Sequence, residues 1–312
     1  NCSSGSTALF LARQAVQSGA VECALAFGFE EMQPGALGSH WDDRESPFDV
    51  LLDAVDKAGD YPKGPLALLT FGAAGLYYMD KYDAKPEIFG KVSVKTRSHA
   101  VNNPYSLFSD PLTLEQVMGD KVFYGGYLTR LMCCPPTCGA GAAIICSEAF
   151  AKKHGISDLV EVVGQAMATD VPSSWDNPIN IIGAEMTRSA AKQVYEQSGL
   201  GPNDVDVVEL HDCFTPNEVV TYEGLGLCPE GGATKFIEDG DNTYGGKFVV
   251  NPSGGLMSKG HPIGATGLAQ CTELVWHLQG KAGKRQVEGA KVALQHNLGL
   301  GGAAVVTMYK KA

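Results

Sequence analysis

The chain has 312 residues, 44% apolar and 19% charged, an ordinary globular composition that excludes bulk disorder. Lys plus Arg number 24 and Asp plus Glu 35, so the net charge is −11, which argues against a nucleic-acid partner because phosphate binding wants a basic surface. No apolar run approaches the ~20 residues of a membrane span, and the length suits roughly two domains of ~150 residues, whose cores need no metal or disulfide staple.

The chain opens Asn1-Cys2-Ser3-Ser4-Gly5, without Met or signal peptide, which reads as a fragment or a processed chain. Residues 6–18 predict an amphipathic helix, with Ala8, Leu9, Ala12, Ala15 and Val16 on one face and Gly19 as its stop. Residues 21–29 predict a buried strand, and a helix followed directly by such a strand is an α/β signature. Residues 32–135 change character. Scattered prolines, aromatics and the polar stretch 39–45 predict an inserted loop-and-helix subdomain, with helices at 66–79 and 88–101 and a turn at Asn102-Asn103-Pro104-Tyr105.

The α/β pattern then returns. Strands are predicted at 140–146, 160–168, 205–210, 292–295 and 303–309, and helices at 148–154, 183–198, 216–225 and 264–278. The last two strands should pair across the glycine-rich turn between them. The nine cysteines are scattered and form no disulfide framework, which favours a reducing compartment.

Four places carry chemistry. Cys2 sits just before a helix, where free N–H groups and the helix dipole lower a thiol's pKa and can hold an oxyanion; a buried inert cysteine is the equal alternative. His211-Asp212-Cys213-Phe214 follows a strand, and strand C-termini are where α/β sheets place ligands. In the extended segment His211 and Cys213 should point the same way. His261 lies in the rigid turn Lys259-Gly260-His261-Pro262 before a helix, whose dipole favours a neutral imidazole. Asn297-Leu298-Gly299-Leu300-Gly301-Gly302 could bring glycine N–H groups beside the other three. Cys2 and His261 share a weak echo: each has a glycine three residues on. Cys133-Cys134-Pro135-Pro136-Thr137-Cys138 invites a zinc reading but has no second matched pair at finger spacing, so packing near the site is preferred.

Together these motifs resemble the thiolase family, specifically its sterol carrier protein x type. The resemblance spans the chain and includes Asn102–Ser106, His211–Phe214, 251–256 and 295–299. Other thiolases carry Asn-Glu-Ala-Phe where this chain has His211–Phe214, and Cys-x-Gly where it has Asn297-Leu298-Gly299. The resemblance implies an α/β thiolase fold of two similar layered halves, each a five-stranded sheet between helices. The N-terminal half would span 1–155, with the loop subdomain at about 32–135, and the C-terminal half 156–312. It also implies CoA-dependent cleavage of 3-oxoacyl-CoA, or the reverse condensation, in fatty-acid or branched and sterol side-chain oxidation. CoA would be co-substrate, with no permanently bound cofactor and no metal.

On this reading Cys2 is the nucleophile. His261 activates it and helps hold the thioester oxygen, and His211 serves the first oxyanion hole. Cys213 is the acid/base, near neutral pKa, and the N–H groups of Cys2 and Gly299 form the second hole. A homodimer in the peroxisome is implied too, with the cytoplasm or mitochondrion as alternatives and no targeting signal in this chain. Family members carry a segment before the nucleophile and often a lipid-transfer domain after the thiolase domain. These 312 residues alone are therefore expected to expose sheet edges and to aggregate. Rival readings are a decarboxylating condensing enzyme, which needs a malonyl donor, and a cysteine hydrolase, which needs no CoA. A non-catalytic acyl-CoA or lipid-binding protein of the same fold is the rival outside enzymes.

Overall fold

The structure is a computed structural model describing residues 1–35, 38 and 43–312. Residues 39–42 of the polar stretch lie outside the described residues. The first half holds α1 (Ser4–Gln17), β1 (Cys23–Glu30), α2 (Asp49–Ala58), α3 (Leu66–Tyr82), α4 (Glu87–Ala100), α5 (Leu114–Met118), β2 (Val122–Tyr124), β3 (Leu128–Thr129), β4 (Gly139–Cys146) and α6 (Glu148–Lys153). The second half holds β5 (Val160–Ala168), α7 (Pro178–Ile181), α8 (Ala184–Ser198), β6 (Val207–Glu209), α9 (Thr215–Gly224), α10 (Ala233–Glu238), β7 (Val249–Val250), α11 (Gly255–Lys259), α12 (Thr266–Gln279), β8 (Val292–Gly299) and β9 (Ala303–Lys311). The expected long elements are therefore present. The short α5, α10, α11 and β7 lack enough residues to show a period, and α2 falls in the loop-and-helix stretch but is not among the helices expected there.

The second half forms a five-stranded sheet in the order β5-β9-β8-β6-β7. β8 and β9 pair antiparallel up to Gly299↔Ala303, as expected across the glycine turn. β6 lies parallel to both β7 and β8, with Glu209 opposite Gln295. The C-terminal ends of β6 and β8 thus emerge side by side, one leading into His211 and the other carrying Asn297.

In the first half the resemblance predicted a second five-stranded sheet. The described residues contain instead the antiparallel pair β1–β4, registered from Cys23↔Cys146 to Glu30↔Gly139, beside the small β2–β3 hairpin. Apart from β1 and β4, that half is mostly helical. Ala26 on β1 is buried beneath α12, whereas Leu25, Phe27, Phe29 and Ile144 on the pair are exposed. Residues 31–138 leave the β1–β4 ladder and return to the same end of it.

Two apolar cores result. One joins α1, β1, α12 and the central strands through Leu9, Ala26, Leu268 and Leu274. The other joins the inserted helices to α8 and α9 through Phe71, Tyr78, Phe89, Met186 and Tyr222. Close approach of α1 and α12 requires glycine. A Cβ on Gly267 would lie 2.1 Å from Ser6 Oγ, and one on Gly5 would lie 3.0 Å from Gly264 O. The echo between Cys2 and His261 is this contact: their downstream glycines touch.

Candidate active site

Four segments converge where α1 begins, where β6 and β8 end, and at the turn between α11 and α12. Cys2 precedes α1. The Asn1 side chain accepts from Ser3 N at 2.9 Å and donates to Leu300 O at 3.1 Å, tying the start of α1 to the end of β8. A Cβ on Gly299 would lie 1.6 Å from Asn1 Oδ1, so only glycine leaves room for the residue before Cys2.

Cys2 Sγ and one imidazole nitrogen each of His211 and His261 lie within 4.8 Å of one another. The two rings meet edge to face, with centroids 5.0 Å apart at 83°. Both histidines are buried, and Cys2 is half-buried.

The hydrogen bonds assign the protons. Thr266 Oγ1 donates its one proton to Pro262 O at 3.0 Å, so it must accept from His261 Nδ1 at 2.7 Å. His261 Nε2 then carries a bare lone pair, and this buried atom has no hydrogen-bond partner among the described residues. Burial, then the Lys259 charge, lowers its pKa to about 3, so the ring is a neutral base. The neutrality inferred from the helix dipole is present, but its cause is desolvation. The helix starts only at Thr266. His211 is the complement. Asn297 Nδ2 donates to its Nδ1 at 2.9 Å, which leaves the proton on Nε2 and makes this ring a donor. Burial, His261 and His296 hold its pKa well below the usual range.

Two expectations about thiols are corrected. The helix terminus was expected to lower Cys2. Burial instead raises it to about 11. Cys213 was expected near neutral pKa. Burial raises it well above the usual thiol value, with Cys134 and Cys2 adding to the rise, so it holds its proton. Cys213 lies outside the close trio.

The Cys133–Cys138 strip packs against the site, as preferred. Cys134 N donates to Cys213 O at 2.8 Å, Pro136 bridges to His261, and Thr137 Oγ1 accepts from His261 N at 3.2 Å. Behind it, Asp212 accepts from Leu256 N at 2.7 Å and Met257 N at 3.4 Å, joining the His211–Phe214 segment to the helix that leads into His261. Asn297, Thr266, Thr137 and Asn1 were not identified from sequence as partners. Asn297 stood inside a recognised motif, but its partner is 86 positions away.

Comparison with known proteins adds a family. A family described as Thiolase C-terminal domain-like matches residues 164–310. Sterol carrier protein 2 of Oryctolagus cuniculus is 56% identical over 99% of this chain, which spans 57% of that protein. Benzoylsuccinyl-CoA thiolase subunit BbsB of Thauera aromatica is 38% identical, with 96% of this chain and 75% of that protein covered. Human mitochondrial 3-ketoacyl-CoA thiolase, a solved crystal structure, shares the fold with a TM-score of 0.68 at 19% identity, over 100% of this chain and 77% of that one.

Proposed function

The chain belongs to the thiolase family, with the motifs of its sterol carrier protein x type, and on that premise we propose that it transfers acyl groups between 3-oxoacyl-CoA and CoA through an acyl-cysteine. One observation carries this reading: a thiol, a proton-free imidazole nitrogen and a second imidazole gathered within 4.8 Å.

His261 Nε2 takes the Cys2 proton as the sulfur attacks the keto carbon. The oxyanion is received by the N–H groups of Cys2 and Gly299. As it collapses, the bond between the α- and β-carbons breaks. The thioester enolate that leaves is held by the N–H of His211, with the His261 imidazolium helping to hold its oxygen, and takes a proton from Cys213. Free CoA then attacks the acyl-sulfur carbonyl and gives its thiol proton to the Cys213 thiolate. The Cys2 sulfur leaves as a thiolate and recovers its proton from His261. The enzyme is thereby restored. The raised pKa of Cys213 suits its first task as acid.

The same reading includes a homodimer and a peroxisomal location, both carried by the family resemblance alone. The test is the intact mass of the protein after mixing with a 3-oxoacyl-CoA without CoA. The expected result is an added acyl mass on Cys2 that free CoA discharges. Substrate bound without adduct, and unchanged by Cys2→Ala, would instead support a lipid-binding protein of this fold.

A further inference from the structure

The trio that serves acyl transfer has a second chemical property. Cys2, His211 and His261 present one sulfur and two nitrogens, all within 4.8 Å of one another. A tetrahedral zinc ion takes sulfur at about 2.3 Å and imidazole nitrogen at about 2.0–2.1 Å. Its donors therefore stand roughly 3.3–3.7 Å apart, by tetrahedral geometry from those bond lengths. Closing the trio by about 1 Å, on the same bond lengths, needs small shifts of Cys2 and of both imidazoles toward one another. We propose that Cys2, His211 and His261 form a three-donor site for a borderline-soft divalent cation such as zinc, whose occupation removes the nucleophile from acyl transfer.

Four features support the site. His261 Nε2 is a buried lone pair with no partner among the described residues, and a nitrogen of this ring is one of the three donors within 4.8 Å. Its Nδ1 is already held by Thr266 at 2.7 Å, the outer hydrogen bond that zinc-bound histidines usually have. His211 has the corresponding partner in Asn297, at 2.9 Å. Finally, Asn297 Oδ1 is buried and has no partner among the described residues. Turning that amide over would let Oδ1 accept from His211 Nδ1, moving the imidazole proton away from Nε2 and freeing it to bind metal. Metal binding would thus satisfy His261 Nε2, a buried atom that the metal-free site leaves unpaired among the described residues. Sulfur and imidazole ligands select zinc over magnesium or calcium.

The step balances simply. The Cys2 S–H bond breaks, its proton passes to solvent, and sulfur and two neutral nitrogens donate electron pairs to the cation. No redox change occurs. With three protein donors a fourth position stays open for water.

Binding is read separately from turnover, so this inference and the acyl-transfer reading fail independently. Cobalt(II) titrated into the full protein should give tetrahedral visible bands and a sulfur-to-cobalt charge-transfer band at one equivalent, and zinc should displace it. Alkylation of Cys2 in the wild-type protein should abolish the charge-transfer band without any mutation. His261→Ala should weaken binding strongly. Thr266→Val should weaken it about 10–100-fold, the usual cost of removing an outer partner, and Thr266→Ser should restore it. Absence of the charge-transfer band at saturating cobalt, or its persistence after Cys2 alkylation, would overturn the proposal.

Discussion

Cys2 and His261 face each other as a neutral thiol and a neutral imidazole. Burial raises one to about 11 and lowers the other to about 3, so both shifts oppose an ion pair in the free protein. This distinguishes the site from cysteine sites whose thiolate is preformed. Alkylation of Cys2 by iodoacetamide should accordingly be slow at neutral pH and rise about tenfold per pH unit between pH 6 and 9, following the thiolate fraction. A plateau below pH 7, read by mass spectrometry of the Cys2 peptide, would mean that a thiolate–imidazolium pair forms after all. Sequence alone identified the residue and misjudged the sign of its shift. The helix terminus is visible in the pattern of residues 2–19, but the low dielectric around Cys2 comes from segments far along the chain, including the Cys133–Cys138 strip.

Single elements act here mainly as positioning devices. α1 and α12 meet through Gly5, Gly264 and Gly267, bringing the starts of the two helices together. α4 and α9 are joined by a buried pair, Lys95 with Glu218. Tyr222 donates to the same carboxylate, as does Asn251 Nδ2 at 3.3 Å. Asn251 in turn accepts from Leu210 N at 2.8 Å, immediately before His211. This network links the inserted helices to the strand end that carries the site. Glu218→Ala should destabilise the protein by about 3–5 kcal/mol, because it strands a buried ammonium. The double change Lys95→Met with Glu218→Leu should cost clearly less, since no charge is left unpaired. Denaturant melts of the two variants decide, and equal losses would show that the pair is not what holds α4 to α9.

At the scale of the whole molecule, burial sets the pH dependence. His99, His261 and His296 are each depressed to about 3 by burial, and His211 lies well below its usual range. A histidine with a depressed folded pKa contributes stability that is present above its unfolded value, near 6.5, and lost as pH falls toward the folded value. Each should cost roughly 1.4 kcal/mol per pH unit below about 6.5. Asp212 acts in the opposite sense. Burial and Glu218 raise it to about 8, so its contribution is full below about 3.9, is lost progressively as pH rises, and is gone above about 8. Thermal melts should therefore peak near pH 6.5, fall steeply on the acid side and decline more gently up to about pH 8. A melting temperature flat from pH 7 to 5 would mean that the histidines are not buried and neutral.

Sequence by itself determined the family and the long helices and strands, and it singled out four candidate side chains. These are local properties: periodicity, turn residues and motif strings are written in consecutive positions. Tertiary structure decided what those side chains are. Parallel pairing of β6 with β8 brings His211 beside Asn297 and makes it a donor. A hydroxyl five residues on makes His261 an acceptor. Burial keeps both thiols protonated. Proton positions and pKa values depend on which distant groups approach and how much water they exclude, and contiguous sequence does not encode that directly.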